Sequence, residues 1–294
     1  MPLTKTCVLL LVNLLFTAFV AGCAGRSPHT NAENPIVLEN FRPGFDVVYL
    51  PMPRPGQTLD SVKNDIASNV IHLDLDPDDF PPYPLKALNS IVHDDKIEIE
   101  WTTQPITPEK TGVVTLNYYR LLNSKIAVEF REEGGGNLRH EIHFPGLITL
   151  KFKSEKIAAK VADALLFLQD QEKKSAEART GQLTTFAAAA ADYRLLTTKP
   201  AMSEEQRKAI VQANALNQQK NFEKAIEKYL KAIDLHPTAY PDAYHNLALL
   251  YAQEGDPVMA VFYMKHYLLL EPDAKDARSA QDKIYEWELL INPD

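Results

Sequence analysis

Two hydrophobic periods divide the chain. In runs between residues 96 and 152 apolar side chains recur at every second position, and from residue 204 onward they recur every three to four. A period of two puts alternate side chains on opposite faces of a pleated strand, whereas a period near 3.6 puts them on one side of a helix. Ile97, Ile99 and Trp101 alternate with Glu98 and Glu100, so Lys96–Thr103 is expected to be a half-buried strand. Lys125–Arg131 repeats the pattern with Ile126, Val128 and Phe130, and Leu138, His140, Ile142 and Phe144 share one face of the next run. Thr111–Leu122 and Leu147–Phe152 complete the strand region, and Glu132–Asn137 (EEGGGN) reads as a hairpin turn.

Shorter signals flank this region. Phe45–Pro51 reads as a strand, and Leu59, Val62, Ile66 and Val70 have helical spacing behind a cap at Thr58 or Asp60. Asp74–Pro84 (DLDPDDFPPYP) is acidic and broken by prolines, so a solvated loop is expected. Its four carboxylates lack the spacing and glycine of a calcium-binding EF-hand. Ser154 opens a helix with Ile157, Ala158, Val161, Leu165 and Leu168 on its apolar side. An Ala-rich helix follows, carrying Phe186, Ala190, Tyr193 and Leu196, and Lys199-Pro200 breaks it. Its apolar positions are expected to pack on the sheet or on the first helical unit after it.

The C-terminal third contains a repeat. Phe222–Pro237 laid over Pro257–Pro272 puts Ala225 on Ala260, Tyr229 on Met264, Ile233 on Leu268 and Pro237 on Pro272, each 35 residues on. A period of that size marks stacked supersecondary units. In the second copy Tyr244, Leu247, Ala248, Tyr251, Gly255, Ala260, Met264 and Pro272 hold the bulky, Leu, small, Tyr, turn-Gly, Ala, bulky and Pro positions of the tetratricopeptide repeat, which the segment resembles. The first copy departs from the pattern: Ala209, Ala213 and Leu216 replace the bulky, small and Tyr positions, and Gln212 stands where Leu is usual. The resemblance implies helical hairpins crossing closely at Ala248 and Ala260. A capping helix over about Asp273–Leu290 should bury Ile284, Trp287 and Leu290.

A strand running directly into an amphipathic helix, KFKSEKIAAKVADALLFLQ, resembles the closing element of the pleckstrin-homology-like fold, over residues 86–170. The expected class is therefore α+β, an antiparallel meander closed by a helix, followed by an all-α domain of helical hairpins. The domains are a signal over 1–22, a flexible tether over 23–44, an α+β domain over 45–170, a helical linker over 171–203, and two repeats with a capping helix over 204–294.

The first residues alter the cellular picture. Lys5 and the apolar run CVLLLVNLLFTAFVAG end at Val20-Ala21-Gly22-Cys23. That resembles a bacterial lipoprotein signal, which implies that Cys23 becomes the lipidated first residue. Ala24 after it implies the outer membrane, facing the periplasm. The chain has 2 cysteines and net charge −8, and removing residues 1–22 takes away Lys5 and leaves −9. Such a chain has no thiol left for a disulfide or a Cys-based metal site. Its acidity makes it a poor ligand for nucleic acid.

No catalytic constellation stands out. His140 and His143 are three apart on a strand, so they point to opposite faces and cannot share a zinc ion. There is no nucleophile elbow and no phosphate loop. Lys151, Lys153, Lys156 and Lys160 stand among acidic residues and read as a solvated face. No enzyme activity and no cofactor are expected. The function implied by the resemblances is an envelope adaptor holding a protein or peptide partner in its repeat groove. The groove-facing residues would be Arg207, Ile210, Asn214 and Asn217 on one helix, with His245, Asn246, Leu249 and Gln253 on the next. Asn amides there can pair with a peptide backbone, and Asn214 and Asn246 are expected to face solvent. The alternative is a lipid- or glycan-binding lipoprotein that uses the sheet domain, with the repeats as support.

Overall fold

In a computed structural model the structure describes residues 45–71, 73–76, 85–103, 108–133, 137–145 and 147–292. The signal and tether segments, Cys23, and most of Asp74–Pro84 lie outside the described residues.

The sheet region runs β1 (Asp46–Tyr49), α1 (Leu59–Val70), β2 (Asp74–Asp76), β3 (Leu85–Val92), β4 (Lys96–Thr102), β5 (Thr111–Asn117), the single turn α2 (Tyr118–Leu121), β6 (Val128–Glu133), β7 (Asn137–Phe144) and β8 (Ile148–Phe152). They form one 8-stranded sheet in the order β1-β6-β7-β8-β2-β3-β4-β5, with every neighbouring pair antiparallel. The chain is α+β, as expected, but the strand order is more than a simple meander. β2 joins the two runs at the centre of the sheet.

Two expectations are corrected here, and one strand is added. Asp74–Asp76 is a strand, not loop, because β3 and β8 pair with it from both sides. β3 escaped the alternation test because its register shifts between Ala87 and Asn89, which moves the buried set from Leu85 and Ala87 to Ser90. Thr111–Leu122 is a strand only to Asn117; the N–H of Tyr118 then bonds Asp95 and the chain coils into α2.

One face of the sheet is filled. Leu75, Ile97, Ile99, Leu116, Ile142, Phe144, Leu150 and Phe152 are buried against Val62 and Ile66 of α1 and Val161, Leu165 and Leu168 of the next helix. Each such side chain contributes roughly 1.5–3 kcal/mol by leaving water. α1 is opened by a capping box, in which Ser61 N–H donates to Thr58 Oγ1 at 3.2 Å and Thr58 N–H to Ser61 Oγ at 3.0 Å. On the opposite face a polar row crosses the strands in register: Glu129, Glu141, Lys151, Asp74, Lys86.

α3 spans Glu155–Leu195, 41 residues without a break. The helix beginning after Ser154 and the Ala-rich helix are thus one, and the stretch assigned to a linker, 171–203, supplies its C-terminal part and the connection to the next helix. No proline interrupts α3. Its middle carries two ion pairs, exposed Asp170–Lys174 at 2.6 Å and half-buried Glu172–Arg179 at 2.6 Å. Near its start the buried Asp163 gathers the chain around β1. Its carboxylate accepts from Tyr49 O–H (2.7 Å), Met52 N–H (2.9 Å) and Arg54 Nε (2.6 Å). Leu196, beyond the helix, is exposed, and so is Ile157, contrary to the apolar spacing. Leu196 caps the helix in an extended conformation and leaves its face.

The helical region follows as α4 (Glu204–Gln218), α5 (Phe222–Leu235), α6 (Asp242–Gln253), α7 (Pro257–Leu270) and α8 (Ala277–Ile291). Ala225, Ala248 and Ala260 are fully buried where helices cross. The far half of α3 packs on α7, in the second hairpin, not on the first. Phe186 lies 4.5 Å from the His266 ring and 5.4 Å from Tyr244, and Tyr193 O–H donates to Glu271 at 2.8 Å. α7 is consequently buried nearly all round. α8 buries Ile284 and Trp287, but Leu290 is 54% exposed, because it falls on the outer side of the helix.

Candidate partner-binding groove

The groove face is made by α4 and α6, the first helices of the two hairpins. Ser203 starts α4, its hydroxyl accepting from Gln206 N–H at 3.1 Å. The hairpin turns need a left-handed residue, Lys220 (φ 60°) in the first and Gly255 (φ 80°) in the second. These positions are 35 residues apart, so the repeat extends to backbone conformation.

The eight expected groove residues separate. Arg207 is exposed and only 3.3 Å from Glu204 one turn back, a surface pair of small energetic weight. Ile210 is a correction: it is 5% exposed and belongs to the helical core. Ala209 stands where the second repeat has Tyr244, and Ile210 turns inward beside that smaller side chain. Leu249 packs partly against the same core, while Gln253 is exposed and Asn217 half-buried. His245 lies edge-on to Tyr267 at 5.1 Å and 3.8 Å from Asp276, the N-cap residue of α8.

Asn214 and Asn246 are brought together, which their sequence separation does not announce. Tyr229 of α5 rises between the two helices and donates its hydroxyl proton to Asn214 Oδ1. Asn246 Nδ2 donates to the same hydroxyl at 3.1 Å. Asn214 is exposed, as expected, whereas Asn246 is half-buried, and both amides are tied to the phenol. The phenol is 1% exposed, and burial first, with Tyr240 and Asp242 adding, pushes its pKa up to about 12. It stays protonated at neutral pH, so it can donate to one amide and accept from the other, and in this arrangement the Asn214 N–H2 and the Asn246 carbonyl are the groups it does not engage. Tyr229 was legible only as a large residue at a packing position; nothing in the sequence announces the reach of its hydroxyl.

Comparison with known families adds the same pattern independently. A TPR repeat family matches residues 213–255, and a tetratricopeptide repeat family matches residues 241–274. The helical region carries tetratricopeptide repeats. Arg207 and Ile210 precede the matched residues, in the part of the first repeat that departs from the pattern. No curated protein matches the chain. The repeats place a protein-interaction role on the helical region. Elsewhere, His140 packs on Phe130 at 5.4 Å while His143 shares a hydrogen bond with Thr149 at 2.8 Å. Among the described residues, no group of three or more His, Cys, Asp or Glu side chains is arranged to hold a metal ion.

Proposed function

We propose that this protein is a lipid-anchored adaptor of a bacterial cell envelope, tethered through Cys23 to the outer membrane and facing the periplasm, which holds a protein or peptide partner in its tetratricopeptide groove. We assign it no catalysis. The observation that carries the reading is the Asn214–Tyr229–Asn246 bridge across successive repeats. It presents a donor and an acceptor in fixed register, the requirement for gripping an extended backbone. The strand order, with a closing helix, supports the pleckstrin-homology likeness of the sheet domain. That domain's covered face is filled by its own side chains, which favours the groove as the binding element.

The test has two arms. Cys23→Ser is expected to release the protein from membranes; unchanged membrane partition would sink the anchor. Asn214→Ala with Asn246→Ala is expected to weaken cross-linking of the full-length protein to its envelope partner at least tenfold. Equal cross-linking by a double variant that remains folded would move the binding site to the sheet domain.

A further inference from the structure

The two edges of the sheet are built differently. β1 is 4 residues long, carries Asp46, and shifts register against β6 between Val47 and Tyr49. Short length, charge and a bulge are the usual means of blunting an edge. β5 has none of these. It is 7 residues, TGVVTLN, without charge or proline, and pairs with β4 in unbroken register from Lys96↔Asn117 to Thr102↔Thr111. Among the described residues β4 is its only partner strand.

The hydrogen-bond phase of this edge can be fixed. Tyr118 N–H donates to Asp95 O at 2.8 Å and Thr103 N–H to Lys110 O at 2.9 Å. Alternation along an antiparallel ladder then makes Gly112, Val114 and Leu116 the residues bonded to β4. The backbone N–H and C=O groups of Thr111, Val113, Thr115 and Asn117 point away from the sheet. Beside them Val113 is 56% exposed, and on the same face Glu98 and Glu100 of β4 stand between the edge and the exposed Ile91 of β3.

We propose that β5 is a dimerisation edge that pairs antiparallel with β5 of a second copy about a two-fold axis at Val114. That register sets Thr111 against Asn117 and Val113 against Thr115, so all four outward-pointing residues join hydrogen-bonded pairs. Val–Thr is a favourable cross-strand pair, and no like charges meet. Within the paired strands the closest carboxylates, Glu100 and the partner copy's Glu98, stand three strand spacings apart, about 14 Å, beyond the screening length of roughly 8–10 Å. A second copy fits better than a free peptide because its strand is already held in β conformation, whereas a peptide loses backbone freedom on docking. The blunted β1 edge stops further addition, so the assembly closes at two chains. A single strand pair buries less than the roughly 1,600 Å² of a standard interface, which places the dimer among weak, transient associations.

Sedimentation equilibrium on the full chain, parent and variant in the same detergent, tests this. The parent is expected to show a weak, concentration-dependent monomer–dimer equilibrium. Val113→Lys with Thr115→Lys should weaken the dimer more than tenfold at unchanged melting temperature. A parent that stays monomeric, or a folded variant that dimerises as the parent does, overturns the proposal. The register has its own readout in a Cys7→Ser, Cys23→Ser background. Val114→Cys should give a disulfide-linked dimer on mild oxidation and Thr111→Cys should not. The reverse result, or equal cross-linking, also overturns it.

Discussion

Asp163→Ala tests whether the chain around β1 is fastened to α3. The carboxylate, 2% exposed, receives three kinds of donor from a segment more than 100 residues away, and Arg54 reaches it through both Nε (2.6 Å) and Nη2 (2.5 Å). Hydrogen bonds to a charged acceptor contribute roughly 1.5–3 kcal/mol each. Tyr49 O–H and Met52 N–H are taken at the low end, about 3 kcal/mol together. The Arg54 side chain is 42% exposed, so its share is discounted to the ~0–1 kcal/mol of a surface pair. Water entering the vacated site offsets part of this, and about 3 kcal/mol is expected. Asp163→Asn keeps an acceptor for Tyr49 and Met52 but turns an N–H2 toward the guanidinium, so about 1–2 kcal/mol is expected. Arg54→Ala should cost under about 1 kcal/mol. Urea unfolding gives the three values, and amide exchange at Met52 shows whether the loss is local. An Asp163→Ala cost below about 0.5 kcal/mol, or equal costs for all three variants, would refute the clamp.

Three further outcomes are expected. Tyr229→Phe should cost about 1 kcal/mol, since it removes two bonds whose amide partners can rehydrate, and Asn246→Ala added to it should cost almost nothing more; full additivity in a double-mutant cycle would dissolve the bridge. Lys220→Gly should stabilise the chain by about 1 kcal/mol, because only the first repeat places a side chain in the left-handed turn; a lower midpoint in denaturant would contradict the strain. Burial lowers the pKa of His266, with the bond to Phe262 O opposing, so the folded state holds it neutral against Phe186 and Tyr244. Unfolding then takes up a proton, and the stability is present above the unfolded pKa of about 6.5 and lost as pH falls below it. His266→Phe should flatten that slope, and an unchanged pH profile would remove His266 from it.

The helical hairpins were legible because their chemistry is periodic. Ala225 and Ala260, Pro237 and Pro272, and the turn glycine Gly255 stand where close crossings and tight turns leave few alternatives. β2 was not, because a three-residue acidic strand owes its conformation to β3 and β8 rather than to its own composition. β3 was hidden by its register shift. The continuity of α3 was missed because residues 171–182 carry no apolar period of their own. Their helicity follows from the two packed ends and from the ion pairs Asp170–Lys174 and Glu172–Arg179. Among the groove residues, Ile210 was misread because the first repeat substitutes Ala209 at the large position. Asn214 and Asn246 were identified, but their common partner lies on α5 and had no groove signature.

The unbroken α3 also makes the distance between sheet and repeats an angular variable. At 1.5 Å and about 100° per residue, the 41-residue helix is about 62 Å long and carries a defined phase from one end to the other. One residue inserted near Lys174 would lengthen it by only about 1.5 Å but would swing the groove about 100° around the sheet. That turn would pull Asn123 from Asn292, now 2.9 Å apart across the two regions. An insertion of seven residues would turn it back to within about 20° while adding about 10 Å. Length changes in this exposed stretch are therefore filtered by helical phase rather than by size.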